Sequence, residues 1–282
     1  MEEHNRTYPT AGEKLRRFEV YRQNVETIEA TNRDGGLSYT LGENQFADLT
    51  SEEFGAMHGG GGFNPSEVSS LQEDDDEQTL ITTCAGDVVE GRSAGHVNVS
   101  ALPESFDWRD YGAVTPVNGR GCHGGNADDA FPWIMDNGGI TIDADYPYTG
   151  KDHGTCNAAK RKHHWAQIGG YRKVEPNNET KLMEAVRRQP IMVGFNYPGI
   201  LHQYKSGVFS GPCRDILGPH AVALVGYGKD AKTGKKYWIA KGSYGPKWGM
   251  KGYLLMERDV ANPKGLCGIA EWPYYPCYPC RD

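Results

Sequence analysis

Two stretches between His58 and Leu102 divide the chain, because neither can hold a regular backbone. Gly59-Gly60-Gly61-Gly62 has no side chains to restrict or pack it, and Glu73-Asp74-Asp75-Asp76-Glu77 sets like charges side by side. Residues 59–101 are therefore expected to be a linker with a folded unit on either side. We read 1–58 as the first unit, 102–276 as the second and 277–282 as a tail.

In the first unit, Glu13 to Asn32 lacks Gly and Pro and places Leu15, Phe18, Tyr21, Val25 and Ile28 at three- and four-residue steps. That spacing predicts an amphipathic helix with one buried stripe. Tyr39 to Phe54 reads as a short extended piece, a turn and a helix start, since Asp48-Leu49-Thr50-Ser51-Glu52-Glu53 sets capping hydroxyls ahead of acidic side chains. After Leu102 the chain is dense in aromatics, Gly and Pro. Helical periodicity appears at 130–137 and 179–188. Short β-branched or aromatic runs at 191–195, 221–227, 237–240 and 253–257 predict strands. Helices first and strands later imply an α+β domain with two subdomains.

The formal net charge of −7, with no Lys/Arg-rich run, leaves nothing to displace counterions from a phosphate backbone, so no nucleic-acid partner is expected. No apolar run reaches bilayer-spanning length, so no membrane partner is expected either. Met1-Glu2-Glu3-His4-Asn5-Arg6 is charged where a signal peptide has its apolar core, yet seven cysteines at wide spacing fit disulfides, and so an oxidising compartment, better than zinc. A secreted precursor shortened at its start reconciles the two. Cys277-Tyr278-Pro279-Cys280 has CxxC spacing but no second pair, so neither a metal nor another cofactor is expected, and the chain is read as a monomer.

Two linked motifs carry more information. Glu13, Arg17, Phe18, Asn24, Ile28 and Asn32 fall at the spacing ExxxRFxxxxxNxxxIxxxN, and Gly42, Asn44, Phe46 and Asp48 at GxNxFxD. Further on come Leu102-Pro103-Glu104-Ser105-Phe106-Asp107-Trp108-Arg109, Gly112-Ala113-Val114-Thr115-Pro116-Val117, Cys122-His123-Gly124-Gly125, Asp145-Tyr146-Pro147-Tyr148, the segment from Tyr204 to Phe209, His220 with the run to Gly228, and Cys267-Gly268-Ile269-Ala270. In this order the segments resemble a papain-like cysteine peptidase of the cathepsin L-like, plant type, preceded by a cathepsin-type propeptide. The resemblance implies a papain-like α+β fold, with a helical and a β-barrel-like subdomain behind a mostly helical prosegment. It also implies polypeptide substrates and a vacuolar, lysosomal or extracellular setting. Gly124, Gly125 and Trp248 would border the substrate, with the main pocket shaped near Asn126, Ala127, Met192 and Gly218.

Such a peptidase needs a thiolate nucleophile, an imidazole base, an Asn to orient the imidazole and an oxyanion donor. By resemblance His220 is the base. The nucleophile is absent: Val117 is followed by Asn118-Gly119-Arg120-Gly121-Cys122, with no CGSCW-type motif. The downstream match makes Cys122 the family's CNGG-like cysteine, so a deletion between Asn118 and Gly121 is the simplest account. An ungapped alignment puts Asn126 at the nucleophile position instead. Cys84 lies at the usual distance before His220, but ahead of the mature start and without a flanking motif. Gly242 stands where the resemblance expects the orienting Asn, and Tyr244 where it expects a shielding Trp. Ser243 is read as a turn residue.

By resemblance Cys213 and Cys267 form a disulfide, Cys122 and Cys156 lose their partners with the deleted stretch, and Cys277 and Cys280 are unassigned. The missing stretch would include the central helix of the helical subdomain, so that subdomain is expected to be incomplete and the sheet from about 166 to 269 to survive. The resulting expectation is a homologue without catalysis. Two alternatives are a prosegment that binds an active related cysteine peptidase as an inhibitor, and a splice or gene-model product without a role.

Overall fold

The computed structural model describes residues 6–58, 102–112, 114, 127–147 and 156–277. The linker 59–101, Cys84, Asn118 to Asn126 with Cys122, Gly124 and Gly125, and Cys280 all lie outside those residues. The described elements begin with α1 (Ala11–Asn32), β1 (Tyr39–Leu41) and α2 (Ser51–His58). Next come β2 (Phe106–Asp107), a 3-10 turn (Trp108–Tyr111), α3 (Ala127–Asp136) and α4 (Ala158–Arg161). The remainder is β3 (Gly170–Lys173), α5 (Glu179–Arg188), β4 (Ile191–Pro198), a 3-10 turn (Gly199–Gln203), β5 (Tyr204–Phe209), β6 (Ile216–Lys229), β7 (Lys236–Lys241), β8 (Tyr253–Glu257) and β9 (Trp272–Cys277).

The strands form a nine-stranded sheet in the order β1-β5-β8-β7-β6-β4-β9-β3, with β2 added to β6. All pairs are antiparallel except β5 with β8. The long β6 is the spine. Its first half pairs with β4, placing Phe195 opposite His220, and its second half pairs with β7. The fold is the α+β, papain-like arrangement the resemblance implies.

One joint was not legible beforehand: β1, from the N-terminal unit, is the edge strand beside β5, with Tyr39 opposite Gly207 and Thr40 opposite Ser206. Gly207 permits the approach, since it holds φ +85° and a Cβ there would lie 2.4 Å from the Ser38 carbonyl. The N-terminal unit is thus part of the main core: Ile28, Tyr39, Leu41, Phe46, Leu49 and Phe54 join one cluster with Tyr204, Phe209, Trp238 and Trp248.

α5 folds as predicted, capped by Asn178, whose side chain accepts from the Lys181 N–H, and buries Leu182 and Val186 against the sheet. Its first residue, Glu179, accepts from Trp238 Nε1 and the Asp259 N–H, both at 2.8 Å. Cys277 is the last residue of β9 and is buried, so the sheet runs one residue into the expected tail.

The stripe expected on α1 packs only in its second half, at Tyr21, Val25 and Ile28. Leu15 and Phe18 are 63% and 47% exposed, and among the helix residues only Ile28 is buried. Glu13, Arg17, Val20 and Asn24 share the packing face with Tyr21, Val25 and Ile28. Its polar members find specific partners, so hydrophobic spacing alone finds only part of the packing face.

Candidate active site

The motif residues of the N-terminal unit converge on the turn between β1 and α2. Asn24 Nδ2 donates to the carbonyls of Ala47 (2.9 Å) and Leu49 (2.8 Å), and Asn32 pairs with both the carbonyl and the N–H of Leu41. Arg17 bonds Glu13, Glu53 and the Asp48 carbonyl. Asp48 also accepts from the Tyr8 hydroxyl and pairs with Arg6. Hydrogen bonds from Arg16 and then Arg17 hold the Glu13 carboxyl down to about 2. Burial, and then the Asp48 carboxylate, push the Tyr8 phenol up to about 12. Glu53 would be raised by burial, but the Thr50 N–H and the two arginines outweigh it and keep the carboxyl low.

This turn is held to the sheet by amides. The Gly42 N–H donates to Gln203 O (2.9 Å), Asn44 Nδ2 to His202 O (2.8 Å) and Gln45 Nε2 to Tyr244 O (2.8 Å). Asn44 Oδ1 meanwhile accepts from the Phe46 N–H, so the buried amide is used on both sides. Phe46 and Phe54 pack edge-on at 5.1 Å, and both reach the ring of Tyr244, at 6.3 and 5.1 Å.

Tyr244 leads to His220. The two rings are stacked, 5.1 Å between centroids and 19° between planes, while Tyr197 (5.5 Å) and Phe195 (6.3 Å) meet His220 edge-on. His220 is only 3% exposed. Burial, and then the neighbouring Tyr244, push the Tyr197 phenol well above its usual value. Among the described residues, three aromatic rings thus lie within 6.3 Å of the imidazole, centroid to centroid.

Gly242 follows β7 beside this cage, its N–H donating to Gly252 O. A Cβ at Gly242 would lie 2.9 Å from the Trp248 ring, so the space an Asn side chain requires is filled. Trp248 itself is buried, donates Nε1–H to Leu201 O at 3.0 Å and packs on Tyr204 and Tyr244. The structure therefore brings together His220, Gly242 and Trp248. Tyr197, Phe54 and Gln45 were missed in the sequence: none belongs to a motif, and only the sheet and the docked turn bring them to the site.

Cys213 and Cys267 form the disulfide the resemblance implies, with Cα atoms 5.4 Å apart. Cys156 is an exposed free thiol, and Cys277 is also disulfide-bonded. Among the described residues no helix is long and apolar enough to cross a membrane, and no group of three or more His, Cys, Asp or Glu is placed to hold a metal.

Known proteins match over nearly the whole chain. A family model described as papain family cysteine protease matches residues 117–277, and one described as cathepsin propeptide inhibitor domain matches residues 1–54. Senescence-specific cysteine protease SAG39 of Oryza sativa subsp. japonica is 36% identical, covering 98% of this chain and 88% of its own length. Fruit bromelain of Ananas comosus is 35% identical, covering 98% and 84%. Among solved structures, the recombinant stem bromelain precursor aligns with TM-score 0.79 at 36% identity, over 99% of this chain and 96% of its own. The alignment with the rice protein spans 321 positions against the 282 residues here, so at least 39 of them are filled only in the relative.

Proposed function

Because the chain belongs to the papain family of cysteine proteases and carries a cathepsin propeptide inhibitor domain, we propose that it is a member of that family without peptidase activity. The observation that carries this reading is the ring of Tyr244 stacked on a buried His220. A base acts only on a nucleophile it can touch, and among the described residues the rings of Phe195, Tyr197 and Tyr244 stand around this one. Two features of the sequence support the same reading. No CGSCW-type segment follows Val117, and Gly242 replaces the orienting Asn in a space that Trp248 already fills. We infer the same division of the chain as above, an inhibitor-type domain over 1–58, a linker over 59–101 and a peptidase-type domain over 102–276. The Cys213–Cys267 disulfide favours an extracellular or vacuolar setting over a reducing one.

Purified protein is expected not to hydrolyse peptide substrates at acidic or neutral pH, and a thiol-directed active-site probe to give no labelling that depends on His220. Turnover, or labelling abolished by His220→Ala, overturns the proposal. Gly242→Asn alone is expected to restore nothing, since it supplies no thiol and must displace Trp248.

A second reading rests on the match of residues 1–54 to an inhibitor domain. Under it, the N-terminal domain binds an active related cysteine peptidase. Phe46 and Phe54 are already engaged by the chain's own Tyr244, so binding in trans requires release in cis first. Titrating the full chain against an active relative at neutral pH is expected to give weak inhibition or none. Tight inhibition by the intact chain would favour this reading.

A further inference from the structure

Asn178-Glu179-Thr180 has the spacing Asn-x-Ser/Thr without an intervening Pro, the acceptor sequence for an N-linked oligosaccharide in chains that pass through a secretory compartment. Asn5 and Asn98 open two more such triplets, but both lie outside the described residues. The question at Asn178 is whether the folded chain can hold a sugar there. Asn178 closes the turn between β3 and α5 and is half-buried, while Glu175, Pro176 and Asn177 before it and Thr180 after it are exposed. Asn177 holds φ +57°, a left-handed conformation that Asn tolerates in turns.

Both polar atoms of the Asn178 side chain are engaged, in a way that leaves one N–H over. Oδ1 accepts from the Lys181 N–H at 3.0 Å and so caps α5, while Nδ2 donates to Glu175 Oε1 at 3.0 Å. The amide nitrogen carries two hydrogens, of which this bond uses one. An N-linked sugar replaces one hydrogen and leaves the carbonyl oxygen and the other N–H in place, so the cap and the Glu175 bond both survive it. The amide of Asn24 makes the contrast. Its Nδ2 donates to the carbonyls of Ala47 and Leu49, and it has no hydrogen to give up.

There is also room. A cavity of about 290 Å³ opens beside the cap, with Glu175 and Lys181 among its lining residues and Val174, Ile191 and Tyr275 as its apolar walls. The cap therefore borders open space rather than a packed element. Apolar walls below charged side chains also suit a pyranose ring, which has C–H groups on its faces and hydroxyls at its edge.

We propose that Asn178 is a site of N-linked glycosylation. The step joins Asn178 Nδ2 to C1 of the first N-acetylglucosamine of a polyisoprenyl diphosphate-linked oligosaccharide. The C1–O bond to the diphosphate breaks, the polyisoprenyl diphosphate leaves with that electron pair, and the amide gives up one proton. This co-substrate and its transferase belong to the secretory compartment, so the proposal rests on the extracellular or vacuolar setting inferred above.

The experiment is peptide mapping by mass spectrometry on the full chain, made in plant cells behind a cleavable secretion signal and recovered from the medium. In molecules with Cys213 and Cys267 bonded, the peptide containing Asn178 is expected to carry an N-acetylglucosamine-based glycan in the majority of copies. Thr180→Ala is expected to remove that glycan, while the disulfide and the exchange rate of the Lys181 N–H stay as they are in the glycosylated chain. Asn178→Ala loses glycan and cap together, and is expected to speed Lys181 exchange about fivefold, the factor that corresponds to one lost cap. An unmodified Asn178 in the disulfide-bonded chain overturns the proposal. So does a glycosylated chain in which Lys181 has lost its protection. If nothing reaches the medium, import of the same chain into microsomes decides: a Thr180-dependent glycan on the protease-protected product supports the site, and its absence overturns it. Because the added signal routes the chain, failure here leaves the inferred setting and the proposed inactivity standing.

Discussion

Two regions of the described chain solve the same packing problem with opposite results. At the N-terminal joint, Phe54 and Leu41 are 1% exposed, the Asn24, Asn32 and Asn44 amides are all paired, and the small domain merges with the core of the sheet. In the segment 127–147 with its neighbour Trp165, side chains of the same kind are left outside. Trp133 is 46% and Trp165 65% exposed, and Met135, Ile140 and Ile142 are exposed as well. Among the described residues, Phe131 stacks on Tyr171 of β3, while Asn137, Gly138, Ile140 and Asp145 bond to residues 161–167. An apolar face is stabilising only when another element covers it. At the N-terminal joint the face is covered and dry, whereas Trp133, Met135, Ile140 and Ile142 are exposed.

The largest expected effect tests the dense side. Phe54→Ala empties a fully buried site between Phe46, Tyr197, His202 and Tyr244, and is expected to cost about 3–5 kcal/mol in denaturant unfolding monitored at the sheet. A cost below about 1 kcal/mol would mean that the joint is not part of the cooperative core. Next comes the Cys213–Cys267 bond, which closes a loop of 54 residues within the sheet. Replacing both cysteines with Ser is expected to lower stability by about 2–4 kcal/mol. Exchange at 127–136, which the loop does not contain, should be unchanged. If exchange there rises in step with the sheet, the two regions unfold together and the contrast between them is only one of exposure. The smallest effect belongs to the exposed side: Trp133→Ala is expected to shift the unfolding midpoint by no more than about 0.5 kcal/mol. A larger loss would show that this ring is covered in solution.

Much of the fold could be read from residue order. The limits of α5 and β8, the turn motif Gly42 to Asp48 and the Cys213–Cys267 pairing all follow from local pattern or from resemblance. α1 was placed correctly and its packing face in part: Tyr21, Val25 and Ile28 lie on it, while Arg17 and Asn24 join it through hydrogen bonds that a count of apolar residues does not see. The candidate site was half legible. His220 and Gly242 stood out by position, whereas the cage around His220 did not, since Phe195, Tyr197 and Tyr244 come from β4 and from the loop after β7.

What the sequence by itself determined is which chemical groups are present: an imidazole at 220, a glycine at 242, no nucleophile segment after Val117, and a complete set of turn-binding amides in the first unit. Those facts bound the chemistry whatever the fold. The tertiary structure alone decided that β1 joins the edge of the sheet, that Tyr244 lies flat on His220 and that His202 carries Phe54. Each of these contacts joins residues from separate elements, some of them more than 100 positions apart. Local propensity reaches only a few residues along the chain, so such meetings are settled by how the sheet closes and by which side chains then share the remaining volume.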